Sequence, residues 1–170
     1  MVRSPGGGGF TLIELLVVLT IIGLFLGLVS TIARPDERAV LRVEAERLAQ
    51  LLDLAAEESR LTGKSVGWTG DGPGYRFWRI GDDAEWSEIR DGDLLRPRTL
   101  PQGMTISALR VENARPQGQM RLVFSPYGPT PAFMVEIAIG TQRYSVAGSP
   151  TGDVRAVPVE GATHAAIALR

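Results

Sequence analysis

The chain opens with an uninterrupted apolar run that has one carboxylate lodged inside it. From Phe10 to Ala33 the only charged residue is Glu14. As a helix rising about 1.5 Å per residue, such a run extends roughly 36 Å, enough to cross a bilayer core with some tilt. A secretory signal peptide fits poorly. Arg3 gives a positive start, but an h-region is normally about 7 to 15 residues long and closes on an Ala-x-Ala-like site; this run is longer and no such site ends it. A plain membrane anchor leaves Glu14 unexplained, since an acid inside a spanning helix costs on the order of 3 kcal/mol. A carboxylate placed there needs a cationic partner, and none lies near it in the sequence.

Gly9, Phe10, Thr11, Leu12, Ile13 and Glu14 together resemble the processing and methylation signature of type IV pilins and type II secretion pseudopilins. The resemblance implies that a prepilin peptidase cuts between Gly9 and Phe10, ahead of the apolar run, and N-methylates Phe10. It also implies the missing cation: the freed amino group of Phe10 on a neighbouring subunit, paired with Glu14 as helices pack into a filament. A buried carboxylate and ammonium offset each other's desolvation only when they meet in good geometry, so Glu14 becomes a register pin. Residues 1–9 are then a leader. Its one charge, Arg3, agrees with a cytoplasmic start.

Past the apolar run, Pro35 disfavours helix at Arg34, so a break or kink is expected there. Asp36 and Glu37 behind it suit the first turn of a new helix. From Asp36 to about Leu61, Leu41, Ala45, Leu48, Leu52, Ala55 and Ser59 recur at spacings of four and three, widened by Leu51 and Leu54 into one apolar face. Arg38, Arg42, Glu46, Arg47, Asp53, Glu57 and Arg60 occupy the other side. After Gly63 the period changes to short β-rich runs. They fall at Ser65–Trp68, Tyr75–Ile80, Leu94–Leu100, Met104–Val111, Met120–Ser125, Phe133–Ile139, Arg143–Ala147 and Val154–Val159. Phe133–Ile139 and Arg143–Ala147, linked by Gly140-Thr141-Gln142, read as a hairpin. No internal repeat is evident, and the length outside the apolar run suits one domain of ordinary size.

The second part of the chain extends the resemblance. The helical run from Glu46 to Glu58, then Gly63, Gly74-Tyr75-Arg76-Phe77, Trp86, Leu94 to Leu100 with Pro101 and Gly103, and Phe124-Ser125-Pro126-Tyr127-Gly128 are similar to the minor pseudopilin H family (general secretion pathway protein H). Pro129-Thr130-Pro131-Ala132-Phe133 departs from the Leu-Thr-Pro-Phe that many relatives carry after that Gly. The implied fold is α+β and pilin-like: a long N-terminal transmembrane helix continuing into an amphipathic helix packed on antiparallel β-sheets. Its parts are a leader at 1–9, a transmembrane helix at 10–33, an amphipathic helix at 34–63, a periplasmic β-rich domain at 64–159 and a tail at 160–170. The implied role is a non-enzymatic, tip-proximal subunit of a type II secretion pseudopilus, single-pass in the bacterial inner membrane with its C-terminal domain in the periplasm. Its implied partners are the prepilin peptidase, the major and other minor pseudopilins, the inner-membrane assembly platform and the secreted protein. The alternative is a minor pilin of a type IV pilus that binds DNA.

Other chemistries are weighed on their residues. Gly63-Lys64-Ser65-Val66-Gly67 has the spacing of a nucleophile elbow, which needs a strand before it and a helix after it; here the predicted order is reversed. His164, the single histidine, lies in a small-residue tail. The same Gly63-Lys64-Ser65 mimics the end of a phosphate loop, but Glu58 occupies the position of its first Gly. Without Cys and with one His, thiolate and imidazole metal sites and cysteine nucleophiles are excluded, and no cofactor is expected. Asp71, Asp82, Asp83, Glu85, Asp91 and Asp93 crowd a Gly-rich stretch as calcium ligands can, but without the spacing of an EF-hand, and solvated loops account for them more cheaply. Nucleic acid requires concentrated positive charge. The net charge is -1, with 18 basic residues interspersed among 19 acidic ones; Arg90, Arg96 and Arg98 are the densest cluster, diluted by Glu88, Asp91 and Asp93. Trp68, Tyr75, Phe77, Trp78 and Trp86 could form a recognition platform, although alternation along strands assigns about half of them to the core.

Overall fold

The computed structural model describes residues 11–32, 36–90 and 94–159, with backbone only over 28–32. The break expected at Pro35, the leader, and the tail with His164 lie outside the described residues. One unit of the chain holds helix α1 (Leu12–Ile32). The second holds helix α2 (Glu37–Thr62) and all the strands.

Apolar on every side, α1 has Leu12 83% and Leu24 70% exposed in the isolated chain. A helix without a polar face has no stable arrangement with water around it and requires an apolar surround. Over the residues with described side chains, no helix is both long and apolar enough to cross a membrane; the backbone of α1 continues helical to Ile32.

In the second unit, α2 lies on two antiparallel sheets. The first contains β1 (Val66–Asp71), β2 (Gly74–Ile80), β3 (Trp86–Glu88), β4 (Arg98–Thr99) and β6 (Met120–Phe124), in the order β3-β2-β1-β6 with β4 also paired to β2. The second runs β5-β7-β8-β9, from β5 (Met104–Val111), β7 (Phe133–Ile139), β8 (Gln142–Gly148) and β9 (Val154–Pro158). The helix face set out by the four-and-three spacing is the buried one: Leu41, Ala45, Leu48, Leu52, Ala55 and Ser59 are all 0% exposed. Each fully buried Leu there contributes about 2 kcal/mol of transfer free energy. The sheets meet this face with Val66, Trp68, Phe77, Leu122 and Phe124 from the first, and Val135, Ile137 and Val146 from the second.

Several elements differ from the sequence reading, among them β1, which runs on to Asp71 where the reading ended it at Trp68. Leu94–Leu100 is not a strand throughout. Leu94 and Leu95 form a turn, Leu95 is buried as an anchor, and only Arg98 and Thr99 pair, with Tyr75 and Gly74. Pro97 and Pro101 lack the N–H a longer ladder requires. The short strand β3 was not anticipated, because three residues beside Asp82, Asp83 and Glu85 carry no alternation to read. The β7–β8 hairpin turns on two residues rather than three: Gln142 pairs with Ile139, and Gly140 has φ of 54°, where glycine alone is unstrained, as at the first position of a type II′ turn.

Candidate functional site

At the start of α1, Thr11 is the helix cap. The Glu14 N–H donates to Thr11 Oγ1 at 3.3 Å, and the Leu15 N–H donates to the Thr11 carbonyl at 3.2 Å. Glu14 is therefore the third helical residue, and Thr11-x-x-Glu14 has the spacing of a capping box, with the acid where the helix dipole favours it. The Thr11-x-x-Glu14 spacing carries this signal in the sequence itself. The Glu14 side chain is exposed. Gly9 and Phe10 lie outside the described residues.

The serine of the Gly-x-Ser-x-Gly match follows α2 and precedes β1, the reverse of a nucleophile elbow. Its neighbour Lys64 pairs with Asp82 at 2.7 Å, and this hydrogen bond holds the Asp82 carboxyl below the usual carboxylate range. Asp83 Oδ1 accepts the Glu85 N–H at 3.2 Å, so the acidic loop organises itself. Among the described residues no three His, Asp or Glu side chains converge as a metal site requires; Asp91 and Asp93 lie outside them.

The aromatic residues divide between the two faces of the first sheet. Trp68, Tyr75 and Phe77 are buried beneath α2, with Tyr75 and Phe77 edge-to-face at 6.0 Å between centroids. Trp78 and Trp86 are on the outer face. Trp78 Nε1 donates to Thr69 Oγ1 at 2.8 Å. The Trp86 ring edge covers Gly67, where an added Cβ would approach Cζ3 to 3.0 Å, and the Arg121 guanidinium stands over the ring at 4.6 Å. With Arg121 over it, Trp86 is not an open platform for stacking a base. The arginine cluster disperses as well: Arg90 Nη2 pairs with Glu88 at 2.9 Å, Arg96 is exposed, and Arg98 has its Nε buried without a hydrogen-bond partner.

Polar groups fasten α2 at both ends. Arg38 Nε donates to Gln142 Oε1 at 2.8 Å near its start. Near its end, buried Ser59 donates to the Phe124 carbonyl at 3.0 Å, Arg60 Nη2 donates to Thr130 Oγ1 at 2.7 Å, and Arg79 of β2 pairs with Glu58. The departing segment Pro129–Ala132 thus supplies a helix anchor through Thr130. Nearer the middle, Arg47 turns from the charged face to pair with Glu44. Close by, the Tyr75 hydroxyl is buried without a partner, and burial pushes its pKa up to about 12 despite nearby Arg98.

The family model for type II transport protein GspH matches residues 44–152, which include most of α2 and all of β1–β8. The chain belongs to the GspH family. The model for the prokaryotic N-terminal methylation motif matches residues 7–30, across Gly9, Phe10 and Glu14. Two solved structures of the minor pseudopilin EpsH from the type 2 secretion system of Vibrio cholerae share the fold. One is 22% identical, covering 69% of this chain and 96% of that one, with a TM-score of 0.55. The other is 20% identical, covering 74% and 99%, with a TM-score of 0.60. No curated protein matches the sequence. As a GspH-family chain, the molecule is a minor pseudopilin of the type II secretion system. The family consists of structural subunits, and it implies assembly with other pseudopilins and processing by a prepilin peptidase.

Proposed function

We propose that this GspH-family chain is a non-enzymatic, tip-proximal subunit of a periplasmic pseudopilus that supports export of folded proteins across the outer membrane. Residues 10–33 hold the precursor in the inner membrane with the β-rich domain in the periplasm. A prepilin peptidase removes residues 1–9 after Gly9 and methylates Phe10, and Glu14 then sets axial register against the amino terminus of an adjacent pseudopilin. The inner-membrane assembly platform moves the processed chain into the filament, where other minor pseudopilins, the major pseudopilin and the exported protein meet the second unit.

The observation that carries this reading is an all-apolar α1 whose single acid, Glu14, stands three residues after its capping Thr11. An acid in that place costs little while the helix start is wet and much once the helix is packed in an apolar surround, unless a cation meets it. Mass spectrometry of membrane-extracted protein from secreting cells tests it. A mature chain beginning at methylated Phe10 is expected; an intact start at Met1 in functional cells overturns the reading.

A further inference from the structure

Helix α1 begins at Leu12, and Thr11 lies just outside it. The first carbonyl of its ladder is that of Thr11, which accepts the Leu15 N–H at 3.2 Å. In an α-helix the carbonyl of residue i takes the N–H of residue i+4, so a helix begun two residues earlier would tie the Gly9 carbonyl to the Ile13 N–H. The Thr11 hydroxyl works against that start by accepting the Glu14 N–H at 3.3 Å, the donor that a longer helix would give to the Phe10 carbonyl.

The sequence holds a second residue able to cap this helix. Glycine ranks beside threonine at the N-cap, far above apolar residues, and Gly9 stands two positions before Thr11. Phe10 between them has neither a capping oxygen nor the backbone freedom of glycine. The start of α1 is therefore a choice between two caps. Glu14 favours Thr11, because it stands three residues after it; the residue three after Gly9 is Leu12, which cannot complete a capping box.

The choice bears on processing, since the N-terminal methylation motif spans residues 7–30. Hydrolysis after Gly9 adds water to the Gly9 carbonyl carbon, breaks its bond to the Phe10 nitrogen and leaves a Gly9 carboxylate and a Phe10 amine. We propose that Thr11 is a positioning residue for this cleavage: by starting α1 at Leu12 it keeps the Gly9 carbonyl out of the helical ladder, so the scissile peptide meets the peptidase without first being unwound. The inference rests on the reading that the chain is cut between Gly9 and Phe10. Losing the cap alters neither the bond nor the enzyme; it lowers the fraction of precursor that is ready to bind, and the apparent affinity falls by that fraction. The expected effect is a KM raised about fivefold with kcat unchanged.

The test uses the full-length precursor in lipid vesicles with a prepilin peptidase, and initial rates of leader loss are read by mass over a range of precursor concentrations. Thr11→Val keeps the shape and removes the hydroxyl, so KM is expected to rise about fivefold, whereas Thr11→Ser and Thr11→Asp, both caps, stay within about twofold of the unaltered chain. The deciding variant joins Thr11→Val to Leu12→Pro. Proline suits the first helical position and disfavours helix at the residue before it, so it restores the same start without a hydroxyl, and KM is expected to recover. A Thr11→Val chain with unaltered KM, or a defect that Leu12→Pro leaves in place, would overturn the proposal; the second result would mean that the peptidase reads the Thr11 side chain itself. The same masses show where the unaltered chain is cut. Cleavage elsewhere than after Gly9 overturns the functional reading along with the inference, whereas cleavage after Gly9 at a rate indifferent to the cap overturns the inference alone.

Discussion

Under the proposed assembly, Glu14 answers to two demands at different stages. In the isolated chain it stands at the third position of a capped helix, a local arrangement worth on the order of 1 kcal/mol. Packed against an apolar neighbour, the same carboxylate needs a cation. The two roles separate by mutation. Thr11→Ala removes the cap and keeps the acid, so filament incorporation is expected to fall only modestly, whereas Glu14→Ala should insert and be cleaved yet assemble poorly; equal assembly of the two variants, read from sheared filaments, would leave only the capping role. Tyr75 presents a different residue-scale case. Its phenol titrates near 10 when unfolded and is pushed up to about 12 when folded, so between those values the unfolded chain releases a proton that the folded chain keeps. Stability is therefore complete below pH 10 and declines as pH rises toward 12, by up to about 3 kcal/mol. Tyr75→Phe is expected to flatten this alkaline loss in denaturant titrations. At neutral pH it should cost almost nothing, because the hydroxyl it removes has no partner.

At the scale of elements, α2 is the member on which both sheets depend. Truncating Leu52, which is 0% exposed, is expected to cost about 2–5 kcal/mol in chemical denaturation, as for other fully buried leucines. Ser59→Ala removes the donor to the Phe124 carbonyl and should cost about 1–3 kcal/mol. Much of this was legible beforehand. The apolar stripe of α2 announced its own buried face, and β5, β7 and β9 matched runs with clear alternation. What could not be read had no periodic signal: β3 is too short to alternate, and β4 survives as two residues because prolines flank it. The aromatic residues were legible in part, since alternation identifies which of them share a face; that Trp86 lies beneath Arg121 depends on β6, which joins the sheet from far along the chain. The capping role of Thr11 is legible in its spacing to Glu14.

For the whole molecule, the proposed use of the second unit depends on the N-terminal motif and the apolar run that precede it. Replacing Gly9 with a bulky residue is expected to leave residues 1–9 attached, seen as a mass increase, while the melting temperature of the second unit stays within a degree or two, because 37–170 forms its own unit. Family membership rests on residues 44–152 and the N-terminal motif on residues 7–30, so the chain carries two separable signatures. The motif was plain from Gly9 through Glu14. The bulge at Ser107 in β5 was not, because one extra residue in a strand leaves no mark in hydropathy.

The fastening of α2 has a mechanical corollary. Its hydrogen bonds to Gln142 near one end and to the Phe124 carbonyl and Thr130 near the other bracket a buried stripe more than four turns long. A tug along the helix axis would load these attachments together, as in a lap joint, instead of opening them one after another like a peeled tape. A domain joined in that manner can be dragged by its leading helix and arrive still folded.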